Sequence, residues 1–445
     1  MVTPAEMRRI DAQAVTPVDE LITRAGAAVA REALGLLGGA YGRRVVVLAG
    51  PGNNGADGRV AGRLLARRGV AVSVLDGVDA PRRLPMADLI IDAVLGTGGS
   101  RAFAAPDQPS CPVLAVDIPS GLDALTGRVL GRSLRADRTV TFAAMKPGLL
   151  RGDGPELSGW VTVADIGLTI PPDCWGLIDD GDVSTGWPRR AVDAHKWRAA
   201  VWVVGGSPGM TGAPRLAAHA AARAGAGYVA LSVPGRPDIE PSSLETVVRG
   251  LPGSTWSLDV RAGADRFGAL VLGPGLGLEV AASSEVLALV ADPPCPMVVD
   301  GDGLTALAGS DVRVPADQAV VLTPHDGELA RLLGRPVGDR VDDVVGLAQT
   351  TGAVVLSKGP TTVIADPAGR VRFVTSGDQR LATAGSGDVL SGIIGALLAA
   401  GVEPLLASSL GAHVHGRTCR HAPPLGVVAS DLPNLLPRTL AELIG

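Results

Sequence analysis

One local pattern recurs along most of this chain: a short, unbroken apolar run followed at once by a glycine-rich polar turn. Arg44 to Ala49 (RVVVLA) leads into Gly50-Pro51-Gly52-Asn53-Asn54-Gly55-Ala56-Asp57-Gly58. Beyond that loop Val60, Leu64 and Leu65 take one side of a helical spacing, and Arg59, Arg63 and Arg67 take the other. The next apolar runs are Val70 to Leu75, Asp88 to Val94, Pro112 to Asp117 and Thr139 to Phe142. Continuous runs of this kind predict strands buried on both faces of a mostly parallel sheet, with helices as crossovers. Their polar turns then gather at one sheet edge, where open α/β sheets place ligands. Two helices precede the first strand: one capped by Thr3-Pro4-Ala5-Glu6, one from Pro17 to Leu37.

A second series of the same type starts at Ala199. It predicts a strand from Ala200 to Val204, a loop from Gly205 to Gly212, an Ala-rich helix to Gly225 and a strand from Gly227 to Val233. Strands follow at Ala269 to Leu272, Met297 to Asp300, Ala319 to Leu322 and Ala353 to Leu356. A hairpin is expected from Thr361 to Asp366 and Arg370 to Val374, turning at Pro367-Ala368-Gly369. Between the two series Pro171 to Arg190 mixes Pro, Gly and acidic residues without a period, and the domain boundary is expected there, giving domains 1–190 and 191–445. A chain of 445 residues is long for one core and suits two.

Composition narrows the function. With 46% hydrophobic and 19% charged residues the chain can fill large cores, and disorder is excluded. A net charge of -5 and 3% aromatics argue against nucleic-acid and anionic-membrane binding. Cys111, Cys174, Cys295 and Cys419 stand far apart, MVTPAEMRRI has no apolar signal core, and Leu390 to Val402 is too short to span a bilayer. A cytoplasmic protein with reduced thiols is expected. Among 40 basic residues only Lys146, Lys196 and Lys358 are lysines. Arg and Lys are equivalent on a wetted surface but not where a compact point charge is needed, so these three are candidates for sites.

Gly50 to Gly58 offers backbone N–H groups at a helix start, two amides and a carboxylate; it matches neither GxGxxG nor a P-loop. Asp92 with Gly96-Thr97-Gly98, Asp117 with Ile118-Pro119-Ser120, and Lys146-Pro147-Gly148 all follow predicted strands. A parallel sheet would collect them at one edge, suited to acid–base chemistry and to oxygen ligation of a cation. In the second series Gly385-Ser386-Gly387-Asp388 opens a long apolar helix. Its N–H groups and dipole can hold a phosphoryl group while Asp388 takes a proton from a hydroxyl. His413, His415, Cys419 and His421 cluster near the C-terminus without a recognisable metal-ligand spacing.

GPGNNGADG, DAVLGTG, AVDIPSGLDALTG and TVTFAAMKPG together resemble the NAD(P)H-hydrate epimerase domain. HKW, VVGGSPGMTGAP, LGPGLG, DGDGL, LTPHDGE, SKGPTTVIAD and LATAGSGD resemble its fusion partner, the ADP-dependent NAD(P)H-hydrate dehydratase of the ribokinase-like superfamily. The resemblance implies an α/β chain of two domains, a Rossmann-like doubly wound sheet followed by a ribokinase-like α/β sandwich. In the first domain it implies substrate contacts at Asn53, Asn54, Gly55, Ala56 and Asp57, and at Gly96, Thr97, Gly98, Gly99, Ser100, Arg101, Ala102 and Asp117. It implies potassium on Asn54, Asp92 and Ser120. Asp117 is then expected to transfer the proton and Lys146 to be its charged partner.

In the second domain the resemblance implies that Ala213, Gly277, His325 and Asp388 hold the hydrated dinucleotide. Lys358, Gly359, Pro360, Thr361 and Thr362, with Gly385, Ser386 and Gly387, would hold ADP with Mg2+, and His195-Lys196 would touch nucleotide phosphate. The implied reaction phosphorylates the hydroxyl of the S-hydrate and then eliminates phosphate, a far better leaving group than hydroxide. The family's second glycine after the paired Asn is Ala56 here; a positive φ at that residue would cost about 1 kcal/mol. Asp326 stands where the family has Pro after His325. The competing reading is an ATP-dependent, ribokinase-like kinase of a small alcohol or vitamin precursor, fused to a non-catalytic binding domain. A homo-oligomer is expected from the resemblance alone.

Overall fold

The computed structural model describes residues 1–445 apart from Ser100, 172–174, Pro237, Glu240, Ser242 and Pro252. The chain divides into two compact units, Met1–Trp175 and Gly176–Gly445.

In the first unit a parallel sheet is built from β1 (Arg44–Ala49), β2 (Ala71–Asp76), β3 (Leu89–Ala93), β4 (Val113–Val116), β5 (Arg138–Phe142) and β6 (Trp160–Ala164), in the order β2-β1-β3-β4-β5-β6. Central β3 and β4 are buried along their whole length, as their unbroken apolar runs require; β2, at the edge, is largely exposed. One face packs on α2 (Val18–Leu37) and α3 (Asn53–Ala66) through Val29, Ala33, Ala61 and Leu65; the other packs on Phe103, Leu134 and Ala136. Helix α3 lies unusually close to the sheet. A Cβ on Gly55 would stand 1.9 Å from the Gly50 carbonyl oxygen, and one on Gly58 would stand 2.5 Å from Ala93 Cβ. Strand order reverses between β1 and β3, so the crevice of this sheet opens beside the start of α3.

Before the sheet comes α1 (Pro4–Ala12), started by a reciprocal cap: the Glu6 amide donates to Thr3 Oγ1 and the Thr3 amide to Glu6 Oε2. Val2, Met7 and Ile10 of this segment pack with Ala144, and the Val2 amide bonds to the Met145 carbonyl. The extreme N-terminus is thereby fixed at the strand ends that carry the polar turns.

The second unit holds a ten-stranded sheet. Its strands are β7 (Gly176–Leu177), β8 (Ala200–Val204), β9 (Tyr228–Ser232), β10 (Thr246–Val248), β11 (Ala269–Leu272), β12 (Met297–Val299), β13 (Val320–Leu322), β14 (Val354–Ser357), β15 (Thr362–Ala365) and β16 (Val371–Val374), in the order β10-β9-β8-β11-β12-β13-β14-β15-β16-β7. All pairs are parallel except β14–β15 and β15–β16, the hairpin expected around Pro367-Ala368-Gly369. Order reverses again between β8 and β11, beneath the Gly205 and Gly273 turns. The core helix α6 (Ser386–Ala399) is buried at every position but Gly387 and Asp388 and packs on α4 (Gly212–Arg223) and α7 (Pro404–Arg417).

Two expectations are corrected. The units part at Trp175/Gly176, fifteen residues before the expected boundary at 190, because Gly176 and Leu177 pair with Arg372 and Phe373 as an edge strand of the second sheet. The segment Asn53 to Asp57 is the start of α3, not a loop; Ala56 is helical and is not among the positive-φ residues.

Candidate active sites

At the crevice of the first sheet a cavity of about 590 Å³ is lined by the start of α3, the Val94–Gly99 turn, Asp117, Lys146 and the inner faces of α1 and α2. Asn53, Asn54 and Asp57 line it, as do Gly96, Thr97, Gly98, Gly99 and Arg101. Gly55, Ala56 and Ala102 are not on its wall, and Ser100 lies outside the described residues. Helix α1 contributes Arg8 and Asp11, which the sequence reading missed; only their proximity in space joins them to the site.

The floor of this cavity is an ion pair. Lys146, 1% exposed, places Nζ 3.0 Å from Asp117 Oδ1 and donates to the Phe142 carbonyl at 2.7 Å. A guanidinium would not fit that enclosed slot, which accounts for a lysine in an arginine-rich chain. Asp117 sits at φ 67, a strained conformation for a non-glycine residue, costing on the order of 1–3 kcal/mol. Four donors hold it there: the Thr97 amide (2.7 Å) and hydroxyl (2.6 Å) on Oδ2, with Lys146 and the Thr141 hydroxyl (3.2 Å) on Oδ1. Burial opposes its charge, yet Lys146 and Thr97 outweigh burial and keep the carboxyl below its ordinary range. Asp57 behaves in the opposite way: burial, reinforced by the charge of Asp117, pushes it up to about 8.

Below the pair Asp92 is fully buried and accepts from the Ser120 hydroxyl (2.6 Å) and amide (2.8 Å); burial raises its carboxyl. Both polar atoms of the Asn54 side chain are buried and have no hydrogen-bond partner. A buried amide with nothing to bind is costly unless something else occupies its oxygen.

In the second unit the strand ends carry a bowl of carboxylates around a single ammonium. Lys358 Nζ lies 2.9 Å from Asp300 Oδ1 and 3.8 Å from Glu328 Oε2, while Asp300 Oδ2 accepts from the Ser391 hydroxyl at 2.6 Å. Burial works against Asp300, but Lys358 and Ser391 hold it low. Lys358, expected in the nucleotide segment, instead has its ammonium in this bowl. Gly359 is backed by the Arg340 guanidinium, which also pairs with Asp326; a Cβ on Gly359 would stand 2.0 Å from Arg340 Nη1. Asp326, standing where the family has Pro, thus anchors that arginine.

Asp388 is the third residue of α6. Gly385 precedes the helix at φ 93, and a side chain there would meet Leu216 and Ala429. Burial, followed by the charges of Asp300, Glu328 and Asp302, lifts the Asp388 carboxyl to about 7, with Lys358 opposing. Ser386 meets His415 at 3.2 Å; burial and Lys358 push that imidazole down to about 4, so it is neutral.

Ala213, the second residue of α4, lies beside Gly275, and the Gly277 amide donates to Asp302 Oδ2 at 2.8 Å. His325 caps α5 (Asp326–Leu333): its Nδ1 accepts from the Gly327 and Glu328 amides. Asp300, Asp302 and Glu328 were missed as site residues, although each ends a predicted strand or follows one in a DGDG or HDGE turn.

One expectation fails. Lys196 lies against the Trp197 and Tyr228 rings at the start of β9, the sheet edge opposite Asp388, and is not at the phosphate site. The C-terminal histidines have separate partners, His413 with Asp180 and His421 with Glu442; among the described residues no set of three His, Cys, Asp or Glu is arranged around a metal position.

The fold and sites define a two-domain α/β protein with a Rossmann-like half and a ribokinase-like half. Residues 201–441 match the family model described as NAD(P)H-hydrate dehydratase, and 18–83 with 75–148 match the YjeF-related protein N-terminus. The chain is 36% identical to the bifunctional NAD(P)H-hydrate repair enzyme Nnr of Moorella thermoacetica, over 100% of this chain and 97% of that one. It is 39% identical to the Mycobacterium tuberculosis enzyme of the same name, over 84% and 82%. The solved Bacillus subtilis ADP/ATP-dependent NAD(P)H-hydrate dehydratase, co-crystallised with ATP and Mg2+, shares 25% identity at a TM-score of 0.53, covering 60% of this chain and 99% of that one. The chain belongs to the bifunctional NAD(P)H-hydrate repair enzyme family.

Proposed function

We propose that the chain restores hydrated NADH and NADPH. The first unit interconverts the R and S hydrates; the second uses ADP to dehydrate the S form, yielding the intact cofactor, AMP and phosphate. The observation that carries the second half is Asp388: a half-buried carboxyl raised to about 7, the third residue of a helix that Gly385 precedes and Ser386-Gly387 open. A base with a pKa near the working pH takes a proton efficiently, and the helix N-terminus favours the incoming phosphoryl charge. Asp388 would deprotonate the substrate hydroxyl, with the Gly385–Gly387 amides facing the transferring phosphoryl and Gly359–Thr362 beside the nucleotide.

Magnesium fits as a phosphate-bound ion rather than a caged one: Asp300, Asp302, Glu328 and Asp388 against Lys358 leave negative charge to spare. When bound it neutralises phosphate charge. Potassium fits the first unit, where the orphaned Asn54 amide, Asp92 and Ser120 would hold it; it supplies positive charge to a buried carboxylate. Cys111, Cys295 and Cys419 are free thiols, in keeping with a cytoplasmic location, and no described helix is long and apolar enough to cross a membrane. A homo-oligomer is proposed, with light scattering as its test.

The test is recovery of dihydronicotinamide absorbance from a mixed-epimer hydrate with ADP, ATP or no nucleotide. Full recovery with ADP is expected. Recovery of the S fraction alone would leave the first unit without its activity. No recovery with either nucleotide would favour a small-alcohol kinase.

A further inference from the structure

Three carboxyls and one ammonium face the first unit's cavity from different elements: Asp11 on α1, Asp57 on α3, Asp117 after β4 and Lys146 after β5. They are not interchangeable. Asp117 already accepts four hydrogen bonds, one from a buried ammonium, so its basicity is spent on the pair. Asp11 is exposed at the cavity's edge. Asp57 is 6% exposed and lines the cavity, yet it makes no side-chain hydrogen bond or ion pair with any described residue.

Its surroundings keep it that way. Helix α2 turns only Val18, Leu21, Ile22 and Ala25 to the cavity, and the two arginines of the wall, Arg8 and Arg101, pair with neither Asp57 nor Asp117. The ammonium of Lys146 is committed to Asp117 and the Phe142 carbonyl. A buried carboxyl with apolar neighbours and a carboxylate nearby is more stable neutral, in agreement with its rise to about 8.

We propose that Asp57 is the acid–base residue of the epimerase reaction, and that Asp117 serves instead to hold Lys146 in place. This rests on the repair reading above. The reacting carbon carries the hydroxyl and adjoins the ring nitrogen. Asp57 gives its proton to that hydroxyl; the C–O bond breaks, water leaves, and the nitrogen lone pair forms a C=N bond, leaving a ring cation and an Asp57 carboxylate. A water molecule then adds to the opposite face of the ring. A C–O bond forms, the C=N pair returns to nitrogen, and the excess proton returns through cavity water to Asp57. Reactants and products differ only in configuration. The same carboxyl serves both directions.

The test uses the full chain and separated R- and S-hydrates without nucleotide, with epimer ratio followed by chromatography against a protein-free control. Asp57→Asn is expected to lower kcat for interconversion about 10²–10⁴-fold with KM changed only a few-fold, and Asp57→Glu to recover part of it. Dehydration of the S-hydrate by Asp57→Asn should stay at the wild-type rate, which doubles as a folding control. Infrared difference spectra of the wild type should show a protonated-carboxyl stretch lost as pH rises through about 8 and missing from Asp57→Asn. Wild-type interconversion with an equally fast Asp57→Asn would overturn the proton assignment alone. A wild type that leaves both epimers unchanged would overturn the repair reading itself. Should Asp57→Asn not fold, the wild-type infrared titration decides: no carboxyl titrating near 8 contradicts the proposal.

Discussion

The two units, unlike in topology and size, carry the same electrostatic arrangement. Each sets a lysine on a buried aspartate at the carboxyl ends of its strands, the buried Lys146 on Asp117 and the half-buried Lys358 on Asp300, and in each the pair keeps that aspartate low. A second aspartate nearby, Asp57 or Asp388, is driven up by burial and by the first one's charge. The difference lies in what surrounds the raised carboxyl. Asp57 is buried in the wall of a cavity with apolar neighbours and rises to about 8, so it holds its proton at neutral pH. Asp388 has Lys358 pulling against the carboxylates and settles at about 7, so it can give its proton up. One arrangement thus tunes an acid in one unit and a base in the other.

The largest expected effect separates the two raised residues by function. Asp388→Asn should cut dehydration by about 10³-fold or more and leave epimer interconversion unchanged. The same variant should be harder to unfold at pH 8, by roughly 1–2 kcal/mol. A carboxyl raised from 3.8 to about 7 takes up protons on folding, so its cost to stability grows as pH climbs through that window and is complete above it. Differential scanning calorimetry at pH 5 and pH 8 checks the sign; a gain confined to pH 5 would break the comparison.

Next come the lysines. Lys146→Met and Lys358→Met each leave a buried aspartate uncompensated, and each should cost about 3–5 kcal/mol, read as a lowered midpoint of the affected unit in urea. Lys146→Arg should not rescue the first unit, because the slot is closed to a planar fork. Lys358 is close to Asp388 as well as Asp300, so any Lys358→Met protein that folds should show its dehydration limb displaced to higher pH.

Smaller effects sharpen the account. Glu328→Gln removes a carboxylate that raises Asp388, and the limb should move down by a few tenths of a pH unit in a pH–rate profile. Ala56→Gly, the change toward the family's glycine, should destabilise by roughly 0.5–1 kcal/mol, since Ala56 is helical and gains nothing from glycine's freedom. A stabilised Ala56→Gly variant would show that the residue needs a conformation other than helix.

The fold was largely legible because buried parallel strands write themselves as unbroken apolar runs, and the glycine turns mark where those runs end. The bias toward arginine singled out Lys146 and Lys358, since an enclosed ion pair discriminates between the two cations; Lys196, equally rare, lies on aromatic rings at the other sheet edge. What escaped the sequence was tertiary. Two residues of β7 pair with a strand far along the chain, which moved the boundary. Arg8 and Asp11 reach the first cavity only because Val2 and Ile10 pin α1 over it. The roles of Asp57 and Asp117 depend on how many donors each finds, and motif spacing carries no record of that count.

The most direct measurement is a pair of pH profiles on one preparation: epimer interconversion without nucleotide, and dehydration of pure S-hydrate with ADP. The dehydration rate should climb through about pH 7 as Asp388 ionises, and the interconversion rate should fall above about pH 8 as Asp57 loses its proton. Profiles that rise together, or that stay flat across both values, would contradict this pair of assignments.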